Sequence, residues 1–148
     1  MIIETVNWGS DALNLKVKLR STVDTCSSLS FIYEEAIPSQ ILKTLPFETL
    51  CINSINGKTT KNYRVIKELK VRSILSTYPR ILTLKNIYVI PSHFGLAAAI
   101  DVMPGFWAKR KIEFSDYFPR VTVNDRLIKL LLGGPNLQEL FVNGENIR

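Results

Sequence analysis

Histidine occurs once in the 148 residues, at His93, and cysteine only at Cys26 and Cys51. That scarcity narrows the chemistry at once. Two cysteines and one histidine cannot complete a structural zinc site without carboxylates. A Ser-His-Asp or Cys-His site would have to use His93, which follows the helix-capping Ser92 and reads as a polar first-turn residue. Neither cysteine is flanked by a nucleophile signature. Each falls in a strand-like run where a free cysteine behaves as a small buried hydrophobe, so a reducing compartment, cytoplasmic or nuclear, is expected. Among the carboxylates only Glu34 and Glu35 are adjacent, and neighbours on a strand point to opposite faces, a poor arrangement for acid–base work. No catalytic, cofactor-binding or metal-ligating residue is expected, and the chain reads as non-enzymatic.

Long apolar runs are missing as well. The longest, "FGLAAAIDVM", is broken by Asp101 and falls well short of the roughly 20 residues a bilayer crossing needs. No membrane partner is expected. The start, "MIIETVNWGSDALNL", has no basic segment and no long apolar core, unlike a secretory signal. Phosphate loops are absent too: "GGPN" (133–136) and "NGK" (56–58) lack the glycine spacing followed by Lys-Ser or Lys-Thr and read as turns.

What is present is an ordinary globular composition, 46% apolar and 22% charged, in a length that suits one domain with a core of its own. Lys and Arg outnumber Asp and Glu, for a net charge of +6. Lys58, Lys61, Arg64, Lys67, Lys70 and Arg72 crowd one segment, and "FWAKRK" adds Lys109, Arg110 and Lys111 beside two aromatics. These two basic segments, 58–72 and 109–111, are the candidates for nucleic acid, phosphate or an acidic partner. For 58–72 a solvated helix face or loop is favoured, because no aromatic-interleaved strand pattern of the RNA-binding kind accompanies the charge. For 106–111 the alternative is a linker that buries Phe106 and Trp107 and leaves its cations in water.

A loose repeat organises the chain. Apolar-x-apolar pairs occur at Leu29/Phe31, Leu50/Ile52, Leu82/Leu84, Ile112/Phe114 and Leu140/Val142, at intervals of 21 to 32 residues, near the roughly 20–29 of leucine-rich repeats. Helix-like segments fall between them: "PSQILKTLP" (38–46), "PSHFGLAAAIDVMPG" (91–105) and "TVNDRLIKLLLGG" (122–134), each opened by Pro, Ser, Thr or Asn and closed by Pro or Gly. Apolar residues from Val65 to Tyr78 divide between two helical faces, so a break near Lys70 or Val71 is expected, with the firmer helix in "VRSILSTYP" (71–79). "ALNLKVKLR" (12–20) alternates like a half-buried strand and is placed at the first edge of the sheet. The expected fold is α/β: an irregular leucine-rich-repeat-like solenoid, with short, mostly parallel strands alternating with helices. It forms a single domain, 1–148, with an N-terminal edge-strand region (1–28) and about five strand–helix units (29–148). The asparagine ladder of a regular horseshoe is missing.

In that solenoid the residues beside each anchor point outward in two rows: Ser30, Cys51, Thr83, Glu113 and Phe141, then Ile32, Asn53, Lys85, Ser115 and Asn143. Ile32 and Phe141 are the exposed apolar groups a protein-binding face would use. The expected partner-binding set is Ile32, Asn53, Lys85, Glu113, Phe141, Asn143, Lys109, Arg110 and Lys111.

Residues 37–53 ("IPSQILKTLPFETLCIN"), 78–90 ("YPRILTLKNIYVI") and 121–142 ("VTVNDRLIKLLLGGPNLQELFV") resemble the F-box-associated domains expanded in nematodes, over most of the chain from about Leu29 onward. The resemblance implies a substrate-recognition module of a ubiquitin ligase, whose F-box docks the cullin adaptor while this domain selects the target. No F-box is found in these 148 residues, so adaptor binding is expected only if one lies outside this chain. No family binding residue carries over by position.

Overall fold

The computed structural model describes residues 2–9, 15–55, 57–74, 80–91, 109–111 and 128–140. Among them run seven strands: β1 (Ile2–Asn7), β2 (Lys18–Val23), β3 (Ser30–Tyr33), β4 (Phe47–Ser54), β5 (Gly57–Ser73), β6 (Ile81–Ile90) and β7 (Leu130–Leu132). Helix is confined there to a 3-10 turn (Glu34–Ala36) and two short pieces, α1 (Ser39–Leu42) and α2 (Asn136–Leu140).

This overturns the expected solenoid: the fold is mostly a mixed β-sheet. The strand order is β1-β2-β7-β3-β6-β5-β4, and β1 also pairs with β5, so the sheet closes into a ring with β4 appended outside it. Closure leaves the ring strands without a free end strand, while the β4–β5 ribbon outside the ring keeps edges of its own. Only β2–β7 and β3–β6 are parallel; β1–β2, β1–β5, β5–β6, β4–β5 and β3–β7 are antiparallel.

Each ring strand turns apolar side chains into one core: Ile3, Leu19, Ile32, Ile66, Leu69, Val71, Leu82, Leu84, Ile87, Leu130 and Leu132. As in other small barrels, side chains rather than a channel fill the interior. Ile41 of α1 and Leu140 of α2 join the same cluster. A second apolar cluster of Tyr33, Tyr63, Val65, Tyr88 and Ile90 packs with Leu29, Phe31 and Leu50.

Several expected helices are strands. Segment 58–72 lies within β5, 17 residues long, which pairs first with β4 and then with β6 and β1. Leu130–Leu132, expected in a helix, form β7 between β2 and β3. Leu140, expected to anchor a strand, ends α2. The strand expected in 12–20 begins only at Lys18 and lies inside the sheet, between β1 and β7. Segment 38–46 does hold a helix, cut to the single turn of α1. The helix expected at 91–105 lies outside the described residues apart from Pro91.

One ion pair helps to hold the ring shut. Arg72 of β5 donates to Glu4 of β1 through Nη2 (2.5 Å) and Nε (3.2 Å), beside the Glu4↔Arg72 register pair. That hydrogen bond, aided by the Arg72 charge, holds the Glu4 carboxyl below its ordinary value. A lowered folded-state pKa adds stability that is present above the unfolded value and is lost as pH falls through the folded one. Thermal midpoints of the wild type and Glu4→Gln should therefore differ at neutral pH and converge in acid. A gap that stays constant with pH contradicts this.

Candidate functional site

β2 and β3 follow one another in sequence but are not neighbours, because β7 lies between them. Their connection, residues 24–29, crosses the end of β7 where the chain leaves at Gly133. Sequence explains the turn: "DTCSS" is rich in residues whose short polar side chains bond nearby backbone. Asp24 Oδ1 accepts from the Cys26 N–H (2.9 Å) and its carbonyl from the Ser27 N–H (3.2 Å). Ser27 Oγ donates to Leu29 O (2.7 Å) and accepts from the Leu29 N–H (3.3 Å).

The crossing is tight. The Asp24 N–H donates to Leu132 O (2.9 Å) and the Gly134 N–H to Ser27 O (2.8 Å). A Cβ on Gly133 would come within 2.6 Å of Leu29 O and 2.7 Å of Ser27 O, so only glycine lets the two backbones approach this closely.

Beneath the crossing is a buried polar knot. Ser30 Oγ donates to Gly133 O (3.1 Å) and accepts from the Gly133 N–H (3.0 Å) and from Asn136 Nδ2 (2.9 Å). Asn136, 4% exposed, also clasps β6: Nδ2 donates to Lys85 O (2.8 Å) and Oδ1 accepts from the Lys85 N–H (2.7 Å). Replacing Asn136 by leucine strands the Lys85 amide and carbonyl, and should cost about 2–4 kcal/mol. Denaturant unfolding measures the loss; a change within about 0.5 kcal/mol, the range of ordinary surface substitutions, contradicts the assignment.

All of this holds a loop whose tip faces water. Thr25, Cys26 and Ser28 are exposed and Asp24 is half-buried. Asp24 Oδ2 has no hydrogen-bond partner among the described residues. Beside the loop, Phe31 packs its ring at 6.5 Å and 51° to Tyr88, and with Leu29 and Leu50 forms an apolar wall reaching the β4–β5 ribbon. The ribbon is tied down here: Glu48 bonds Lys67 Nζ (2.5 Å) and accepts from the Tyr88 hydroxyl (3.3 Å). Lys67 lowers the Glu48 pKa, while burial and then the Glu48 charge raise that of Tyr88.

Of the expected partner-binding residues that are described, Ile32 is closed off from any partner. Ile32 is 0% exposed because its side chain joins the core inside the closed ring, while its neighbour Phe31 packs on the other face of β3. Asn53 lies on β4 opposite Lys58. Lys85 is exposed on β6. Lys109, Arg110 and Lys111 are exposed in a turn, with Lys111 at φ 56°. Glu113, Phe141 and Asn143 lie outside the described residues, as do His93 and Trp107. Both cysteines are exposed free thiols rather than buried ones: Cys26 lies in the crossover turn and Cys51 on the ribbon. Asp24 is not among the expected site residues; it lies in a Ser/Thr/Asp/Cys turn between two apolar runs.

Neither a protein-family model nor a curated protein matches the chain. Among the described residues, no cluster of three or more His, Cys, Asp or Glu is placed to hold a metal ion. No helix there is long and apolar enough to cross a membrane.

Proposed function

We propose that the chain is one half of a two-fold symmetric peptidase of the aspartic type, with Asp24 of each copy supplying one of two catalytic carboxylates. The observation that carries this reading is the crossover itself. A backbone crossing, two close-packed glycines and a buried Ser30–Asn136 knot lie under the turn that carries Asp24, a half-buried carboxylate at one end of the ring. Two carboxylates held close share a single proton, as in the aspartic proteases, and a second copy of the chain is the source of the second carboxylate in this reading. Two-fold dimers are the commonest symmetric assembly, and a two-fold axis beside the loop would bring the two Asp24 side chains together.

In such a pair the ionised carboxylate takes a proton from water as the water oxygen attacks the amide carbon. The protonated carboxyl gives its proton to the carbonyl oxygen. Collapse of the tetrahedral intermediate breaks the C–N bond: the protonated carboxyl gives its proton to the leaving nitrogen, a hydroxyl of the intermediate returns its proton to the other carboxylate as the carbonyl re-forms, and one shared proton is left on the pair.

The test is hydrolysis of a quenched-fluorescence peptide library by the purified chain across acid to neutral pH. Cleavage that is second order in protein at low concentration supports the proposal, and absence of cleavage at any concentration contradicts it.

A second reading, a protein-interaction module of the F-box-associated kind, draws support from Phe47, Ile55 and Ile81, exposed at 63%, 105% and 54%. Partner capture unaffected by loss of Asp24 but lost on Phe47→Asp favours it.

A further inference from the structure

β5 is flanked on both sides only over part of its length. Its ladder with β6 begins at Val65↔Tyr88, whereas residues 57–64 pair only with β4 among the described residues. Gly57 to Asn62 are exposed throughout. Beside this stretch lies a cleft of about 450 Å³ whose lining includes Phe47, Lys61, Tyr63 and Arg64, with Glu34 and Pro91 contributed from the ends of β3 and β6.

Arg64 is fixed in place. Its Nη1 donates to Leu42 O (2.9 Å) and Leu45 O (3.1 Å) at the end of α1, and its guanidinium lies 4.5 Å from the centre of the Phe47 ring. Phe47 keeps most of its surface in water. Along this strand edge the exposed Lys61 marks one face, while Arg64 and the exposed Phe47 ring lie on the other.

We infer that this edge is a docking site for an extended acidic peptide, which adds as a strand beside residues 58–62 and sets the carboxylates of one face against Lys61. Strand addition takes its affinity from main-chain hydrogen bonds and its selectivity from alternate side chains. A peptide backbone can reciprocate the edge's N–H and C=O groups, while a polyphosphate backbone cannot. The site lies beyond the far ends of β3 and β6, whereas Asp24 precedes β3, so the inference does not depend on the peptidase reading.

The experiment is fluorescence polarisation with the full chain carrying Asp24→Asn, which separates binding from cleavage. The probes are a labelled peptide of alternating Glu and Val, its Lys/Val counterpart, an alternately N-methylated Glu/Val peptide and a labelled oligothymidylate. The Glu/Val peptide should bind, more weakly as salt is added, and N-methylation should abolish binding. Lys61→Glu should weaken binding by about tenfold or more, while Lys70→Glu, on the same strand beyond the cleft, should leave it within about twofold. Equal binding of the Lys/Val peptide, binding of oligothymidylate in preference to Glu/Val, or no binding of Glu/Val each overturns the proposal. If cleavage fails while this binding holds, only the peptidase reading falls.

Discussion

Asp24→Asn is expected to lower peptide hydrolysis by about a thousandfold or more, the scale of a lost acid–base group, while leaving the fold intact. The asparagine Oδ1 can still accept the Cys26 N–H that Asp24 holds at 2.9 Å, so the turn keeps its local bond. Backbone bonds from Asp24 to Leu132 and Ser27 do not involve the side chain. Full activity in Asp24→Asn with an unchanged thermal midpoint would remove Asp24 from the mechanism.

Gly134→Ala carries the largest expected structural effect. Gly134 has φ +55°, and an added Cβ would lie 2.2 Å from Ser28 O and 2.9 Å from Ser28 C, backbone atoms that cannot swing aside. Either the crossover lifts away from β7 or the β7–α2 turn distorts, at a cost of about 3–5 kcal/mol. Gly57→Ala is the matched control, since Gly57 also has positive φ (+106°) but nothing lies within 4 Å of its added Cβ. Its cost should be only about 1 kcal/mol. Denaturant unfolding of both variants decides the matter, and equal losses would show that the crossing is not tight.

Part of this architecture was legible in the sequence. Leu50/Ile52 and Leu82/Leu84 do lie in strands, and Leu29/Phe31 lie at the start of one, because apolar alternation reports strand directly. Alternation does not say which strands pair, and the intervals between the pairs suggested repeats where the chain makes a hairpin and a closed ring. β5 misled for a specific reason. Its ladder with β6 omits Lys67 opposite Asn86, which has φ 54°, and across that point the core-facing residues step from Ile66 to Leu69. A step of three amid alternation mimics a helical face. β7 is a bare "LLL", too short for periodicity to distinguish strand from helix.

The candidate site was less legible still. Asp24 acquires its setting from Leu132, Gly133, Gly134 and Asn136, more than 100 residues away in the chain. Cys26 and Cys51 read as buried because strand-like runs usually bury cysteine, but one lies in a turn and the other on an exposed ribbon. Ile32, chosen as an outward residue, became the most enclosed kind of core residue once the sheet closed.

Mixing the wild-type chain with Asp24→Asn at constant total concentration and following peptide hydrolysis tests the account most directly. If each active unit needs Asp24 from two copies, activity falls as the square of the wild-type fraction. A linear fall would show that one chain suffices and would contradict the two-fold site.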